Sequence, residues 1–363
     1  MRDMDLEKKK TETFMSKPLF YSLKNISRKK ISLKTGQYCL FFLFLFSLNQ
    51  SVISSDLDPY LWLEEVEGKK SLAWVEEQNE ETFTRYTQSN AFKKKYERIK
   101  KELNDDERIP SAYYQNGEMY NFWRDEKNVR GVWRKTSFKS YLKDEPIWEN
   151  ILDIDQLAND EGINWLYKGA DCLAPEYKRC LIRLSDGGTD AVTIREFDLE
   201  EKKFVKDGFN TYPSKQNASW VNEDQILIGA DFGEGSMNES GYPMQVKLWN
   251  RGESLEEAKI FFSGSYEKIF NFPFVSIRPD GKYYGIIEGP TFFSEVLHLF
   301  DGEKLIKINL PQMIDIHGFF NESLILSIEQ DWGIFKSGSL LEINVNSLLA
   351  NSIDESDVKI IFE

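Results

Sequence analysis

A chain of 363 residues, 41% apolar and 14% aromatic, has enough apolar mass for a large core, which excludes a disordered protein and leaves one large domain or two ordinary ones. The net charge is −14 and is unevenly spread: residues 1–55 carry ten Lys/Arg against four Asp/Glu, and the remainder 36 against 56. So acidic a body lacks the basic face that phosphate binding needs, which excludes nucleic acid as a partner.

The basic stretch comes first. Lys17, Lys24, Arg28, Lys29, Lys30 and Lys34 precede an apolar run from Tyr38 to Phe46, and small residues follow at Ser51, Ser54 and Ser55. A charged lead, a short apolar core and a small-residue exit are the signs of a secretory signal peptide occupying residues 1–55. Nine residues fall short of the roughly 20 that span a bilayer. No stable membrane span is therefore expected after cleavage, and the mature protein is expected to start near Asp56 and to be periplasmic or secreted. An uncleaved signal anchor is the alternative, and Met15 is a second candidate start because residues 1–14 add nothing a signal needs.

Residues 56–111 read as a helical arm. Pro59 fixes its own φ and pushes Asp58 out of the helical region, giving an extended aromatic lead-in. Gly68 then breaks the chain before Ser71, the expected N-cap of a helix carrying Leu72, Trp74 and Val75. Asn90 is the expected N-cap of a second helix. Phe92, Tyr96, Ile99 and Leu103 fall on one stripe of it, and Asn104 to Pro110 stop it.

From Ala112 the texture changes to short strands rich in aromatic and β-branched residues. Five inner hairpins can be picked out: Tyr114 to Phe122 around Asn116-Gly117, Trp165 to Leu184 around Pro175-Glu176, Ser219 to Gly229 around Asn222 to Asp224, Phe274 to Ile287 around Pro279 to Gly281, and Gly318 to Ile328 around Asn321-Glu322. Each is followed by an outer hairpin: Val132 to Leu152, Val192 to Val205, Gln245 to Phe262, Glu295 to Leu310 and Leu340 to Phe362. Outer hairpins start 45 to 60 residues apart, the spacing of four-stranded propeller blades. The expected fold is all-β, a β-propeller over 112–363 preceded by the helical arm; a β-sandwich with an extra sheet is the rival.

Chemistry is sparse. Outside the presumed signal, Cys172 and Cys180 could close a small loop as a disulfide in an exported protein, or be two buried thiols. No serine has glycine at both −2 and +2, as a nucleophile elbow requires. Ser236, in the glycine-rich stretch Gly233 to Gly241, is nearest in texture but lies between strands and reads as a flexible loop. Neither His298, in a strand, nor His317, before Gly318, has an evident serine partner, so both read as structural. Asp186 to Asp190 reads as a tight turn that needs no ion. Catalytic, cofactor-binding and metal residues are accordingly none, and no cofactor is expected.

The segment Asp58 to Asn79, with Ile109-Pro110, Tyr120 to Trp123, Arg130 to Arg134, Lys168 to Pro175, Ala191 to Asp198, Gly235 to Pro243, Thr291 to Phe293 and Glu329 to Trp332, resembles the prolyl oligopeptidase family of serine peptidases. The resemblance runs from Asp58 to at least Leu341 and touches none of that family's catalytic motifs. It implies a seven-bladed propeller followed by a C-terminal hydrolase domain that cleaves short peptides, typically after proline. This chain is then expected to hold five of the seven blades, to be truncated before the catalytic domain, and to be inactive alone. Its expected partners are a separate hydrolase-domain polypeptide and, only in the complete enzyme, a peptide substrate. The competing reading is a non-catalytic secreted propeller that binds a peptide, glycan or protein.

Overall fold

A computed structural model of the protein describes residues 58–105, 107 and 109–363. The expected signal peptide and its cleavage point lie outside the described residues. Two compact units divide between Gln88 and Ser89.

In the first unit the lead-in is not extended: Leu61–Glu64 form a 3-10 turn. Asp58 closes it twice, its carboxylate accepting from the Tyr60 N–H at 2.8 Å and its carbonyl from the Leu61 N–H at 3.2 Å. Helix α1 follows (Lys69–Tyr86). Its N-cap is Gly68 rather than Ser71, because the Ser71 hydroxyl turns back and donates to the carbonyls of Glu65 and Gly68. Trp62 meets Trp74 edge to face at 6.3 Å, which ties the turn to the helix.

The second unit opens with α2 (Asn90–Leu103). The cap lies one residue earlier than expected, since the Ser89 hydroxyl accepts the Phe92 N–H at 3.1 Å. Phe92, Tyr96, Ile99 and Leu103 do share one face, and all four are exposed.

Five four-stranded antiparallel sheets follow, each a meander in chain order. The first is β1 (Tyr113–Gln115), β2 (Glu118–Trp123), β3 (Val132–Ser137) and β4 (Glu149–Asp153). The second is β5 (Trp165–Cys172), β6 (Arg179–Asp186), β7 (Thr193–Asp198) and β8 (Lys203–Phe204). In the third, β9 (Asn217–Asn222), β10 (Gln225–Gly229), β11 (Gln245–Asn250) and β12 (Lys259–Ser263) pair in turn, and in the fourth β13 (Phe270–Arg278), β14 (Gly281–Thr291), β15 (Ser294–Phe300) and β16 (Leu305–Lys307). The fifth holds β17 (Ile314–Phe320), β18 (Ser323–Ile328), β19 (Leu340–Asn344) and β20 (Val358–Phe362). All ten expected hairpins are therefore present, and the arrangement is propeller-like.

Turn chemistry explains the register. Asn116 and Gly117 both take positive φ (48° and 83°), the conformation that matches the right-handed twist of a two-residue hairpin. Asn321 and Glu322 do the same at 53° and 58°, although Glu322 has a Cβ that disfavours it. Asp280, in the turn of the preceding blade, steadies that turn by accepting the Glu322 N–H at 2.8 Å. Cys172 and Cys180 face each other across β5 and β6 and are joined as a disulfide.

Four apolar clusters lie between the blades, and each draws its buried members from two consecutive ones. Trp133 and Ile151 of the first blade meet Ile182 and Phe197 of the second; Leu181 and Ile194 meet Trp220 and Ile226; Val221 and Val246 meet Ile286; Leu297 and Leu299 meet Leu324 and Leu341. The far side of the fifth blade is different. Asp315, His317 and Ser327 lie there, with the ion pair Glu342–Lys359 at 2.8 Å.

Candidate functional site

Ser236 does not sit on a strand-to-helix elbow but in the connection from β10 to β11, as expected, and the connection is tied down. Its buried hydroxyl accepts the Phe232 N–H at 2.8 Å and donates to the Gly233 carbonyl at 2.7 Å. A serine so engaged is a loop staple. Asp186 to Asp190 form the β6–β7 turn, with Gly187 and Gly188 at positive φ (63° and 86°) and the Ser185 hydroxyl donating to the Thr189 carbonyl.

The histidines differ from each other. His298 is buried on β15 with its Nε2 3.3 Å from Glu288 Oε2 on β14, and the Phe262 ring lies 5.0 Å away. Burial, with a smaller push from the Lys307 ammonium, lowers its pKa against the opposing pull of the Glu288 carboxylate. It is thus a neutral, packed side chain near pH 7, and its hydrogen-bond partner is a carboxylate.

His317 does have a serine partner, contrary to the sequence reading: its Nε2 is 3.0 Å from Ser327 Oγ. The register shifts between Ile316 and Gly318, and this bulge carries the imidazole over Ser327, the residue paired with Asp315. The pair is exposed on a strand, away from any strand-to-helix turn. No carboxylate is hydrogen-bonded to this imidazole among the described residues, so a catalytic triad is not assembled. Nor do the described residues bring together three or more His, Cys, Asp or Glu in a metal-binding group.

Two concavities lie beside the linker from the second blade to the third, and the smaller also reaches Phe272 of the fourth blade. The larger, about 430 Å³, is lined by Thr211, Asp231, Phe232 and Lys247. Its lysine is committed: Nζ donates to the carbonyls of Leu255 and Glu256 at 3.2 and 3.0 Å and lies over the Phe232 ring at 4.5 Å. In the same interface Arg251 grips buried Glu196 with two hydrogen bonds of 2.8 and 3.1 Å. The smaller, about 270 Å³, is lined by Arg183, Asp190, Lys215, Gln216, Tyr242 and Phe272, with Asn217 and Pro243.

That notch is assembled by topology. In a chain-order meander, the connection from second to third strand and the linker between blades emerge at the same end. Asp190 lies on the β6–β7 connection, Lys215 and Gln216 on the linker into β9, and Tyr242 on the β10–β11 connection. Arg183 reaches them from β6 across Gly169 of β5. A Cβ on Gly169 would stand 2.8 Å from a terminal guanidinium nitrogen of Arg183, so the glycine makes the room. Sequence reading missed Arg183, Lys215 and Gln216, which are 32 and 33 positions apart in their blades and meet only through the fold. The glycine opposite a strand arginine was the one local hint.

The sheets thus define a β-propeller segment whose end carries a cationic, aromatic-walled notch. Comparison with known proteins narrows the class. Residues 53–315 match the prolyl oligopeptidase N-terminal β-propeller domain. An uncharacterized peptidase of Sinorhizobium fredii is 33% identical over 307 residues, covering 81% of this chain and 42% of that protein. One from Rickettsia prowazekii is 31% identical over 328 residues, covering 83% and 44%. Among solved structures, a post-proline cleaving enzyme from Rickettsia typhi superposes with a TM-score of 0.77 at 31% identity, over 83% of this chain and 46% of that one. Oligopeptidase B from Leishmania major, at 12% identity and a TM-score of 0.59, shares the fold.

The chain belongs to the prolyl oligopeptidase family. It spans less than half the length of these relatives.

Proposed function

We propose that this chain supplies the propeller portion of a prolyl oligopeptidase-type serine peptidase and that the 363-residue polypeptide does not hydrolyse peptides by itself. Acyl transfer to serine needs an activated hydroxyl, a base and oxyanion donors, and loss of nucleophile or base alone removes most of the rate. Ser236 is engaged by its own loop, His298 faces a carboxylate, and His317 with Ser327 lies on an open strand. The observation that carries the reading is the exposed stripe of Phe92, Tyr96, Ile99 and Leu103 on α2, apolar surface suited to burial against a further folded body. That body is the hydrolase part, joined or separate, and short peptides cleaved after proline are the substrate of the complete assembly.

Export to the periplasm or medium belongs to the same proposal. The Cys172–Cys180 disulfide supports it, because such bonds persist in oxidising compartments. N-terminal sequencing of exported protein should find a start near Asp56. The activity test is a chromogenic Gly-Pro substrate on rigorously purified chain. No turnover is expected alone, and turnover is expected when a hydrolase domain from the same genome is supplied. Turnover by the chain alone that is blocked by a serine-directed phosphonate and lost in His317→Ala would refute the reading.

A further inference from the structure

Helix α2 buries none of its residues: all 14, Asn90–Leu103, are exposed. A helix of that length is marginal in water by itself, and in folded proteins its stability comes mostly from packing an apolar face. Such a face is present and uncovered. Phe92, Tyr96, Ile99 and Leu103 are 40–64% exposed, and the Phe92 and Tyr96 rings stack on each other with centroids 6.5 Å apart.

The charge of α2 is opposite to that of its surroundings. It carries six Lys/Arg against two Asp/Glu, whereas the other residues of 56–363 carry 30 against 54. At 3.6 residues per turn, Lys93 and Lys100 flank the apolar stripe on one side and Lys95 flanks it on the other, each about 70–90° from its midline. Glu102 lies on the Lys95 side but is engaged by Arg98 at 3.5 Å. Among the described residues none of the three flanking lysines is in an ion pair. The stripe is therefore an apolar strip between two basic rims.

We propose that α2 docks in an apolar groove of the hydrolase body whose two rims carry carboxylates, and that this ionic rim controls whether the two parts assemble. The proposal rests on the reading above, that a hydrolase part completes the enzyme, and it names what that part must present. The match covers 42–46% of each relative, so more than half of each lies outside it and offers a body large enough to hold such a groove. An anionic bilayer would suit the lysines and the stripe, but it repels the acidic remainder of the chain. A second copy meeting helix to helix would set basic rims against each other. An acid-rimmed protein groove meets neither obstacle, because the attraction is local to α2.

The test is isothermal titration calorimetry of the full chain with the hydrolase domain from the same genome at about 50 and about 500 mM NaCl, with hydrogen exchange of the α2 amides read in each state. Complex formation should slow exchange from Phe92 to Leu103. The higher salt should weaken affinity about tenfold, since three surface ion pairs are each worth about a few-fold. Lys93→Glu, Lys95→Glu and Lys100→Glu together should weaken it by more than that at the lower salt and abolish the salt effect. Ile99→Ser should weaken it at both salts alike. The four substituted side chains are exposed, so the melting curve should stay where it is. A complex that forms without protecting α2, or whose affinity ignores both salt and the triple charge reversal, overturns this proposal and leaves the peptidase assembly standing. No complex at all overturns both. Protection of α2 in the chain alone that grows with concentration assigns the face to a second copy, and binding to phosphatidylglycerol vesicles that Ile99→Ser abolishes assigns it to a membrane; either result overturns the proposal.

Discussion

Replacing Arg251 by methionine should destabilise the seam between the second and third blades by about 2–4 kcal/mol. Glu196 is buried, with its side chain 1% exposed, and is satisfied by two Arg251 hydrogen bonds and by the Phe209 N–H at 3.0 Å. Removing one partner of a buried ion pair typically costs about 3–5 kcal/mol, mostly because the other charge is stranded. Two features reduce that figure here. Arg251 is 29% exposed, so water reaches part of the site, and Arg179 still stands 4.0 Å from Glu196. Methionine also keeps apolar contact with the Phe209 ring, which the guanidinium now overlies at 4.9 Å.

Urea or thermal unfolding followed by tryptophan fluorescence reports on this seam, because Phe209 packs edge to face against Trp220 and Trp249 at 5.7 and 5.0 Å. At about 2–4 °C per kcal/mol for a body of this size, the melting temperature should fall by about 4–16 °C. Adding Glu196→Gln to Arg251→Met neutralises the stranded charge while keeping an acceptor for Phe209, and should recover more than half of the loss. A single variant that loses less than about 1 kcal/mol, or a double variant no better than the single, would refute the stranded-charge reasoning.

Three further outcomes follow from the turns and the disulfide. Glu322→Gly should stabilise the fifth blade by about 0.5–1 kcal/mol in equilibrium unfolding, since relief of the left-handed backbone outweighs glycine's extra unfolded-state entropy. Reducing Cys172–Cys180, or replacing both with alanine, should cost about 2–3 kcal/mol by the entropy of so short a loop, measured as a shift in urea midpoint. Asp280 is held below its ordinary carboxylate pKa, chiefly by the Glu322 N–H. Its contribution is therefore fully present above the unfolded value and lost as pH falls through the depressed folded one; Asp280→Asn should flatten the acid limb of a stability–pH curve, and an unchanged limb would count against the contact.

The blades were legible because their signals are local. Alternation in a strand and an Asn-Gly or Pro-Asp-Gly turn sit within a dozen residues, so Asn116-Gly117 and Pro279 to Gly281 could be placed from sequence alone. Helix starts were legible to within a few residues, the miss at Ser71 arising because a hydroxyl can donate backward as readily as it caps forward. The 3-10 turn at Leu61–Glu64 and the short helices Phe138–Tyr141, Ile154–Glu161 and Val345–Ala350 in the connections lacked the length that makes periodicity visible. His317 with Ser327, Glu196 with Arg251 and the Arg183 notch were not legible. Each depends on a bulge, a seam between blades or a reach across a neighbouring strand, and none of these leaves a pattern in the order of residues.

The four apolar clusters also say how this protein should come apart. Because each joins only consecutive blades, stability behaves as a row of links, each blade's own worth added to the coupling with its neighbour, much as in stacked repeats. Hydrogen exchange should then show a gradient, with amides of the third blade opening last and those of the first and fifth fraying earliest. Calorimetry should give a van't Hoff enthalpy smaller than the calorimetric one.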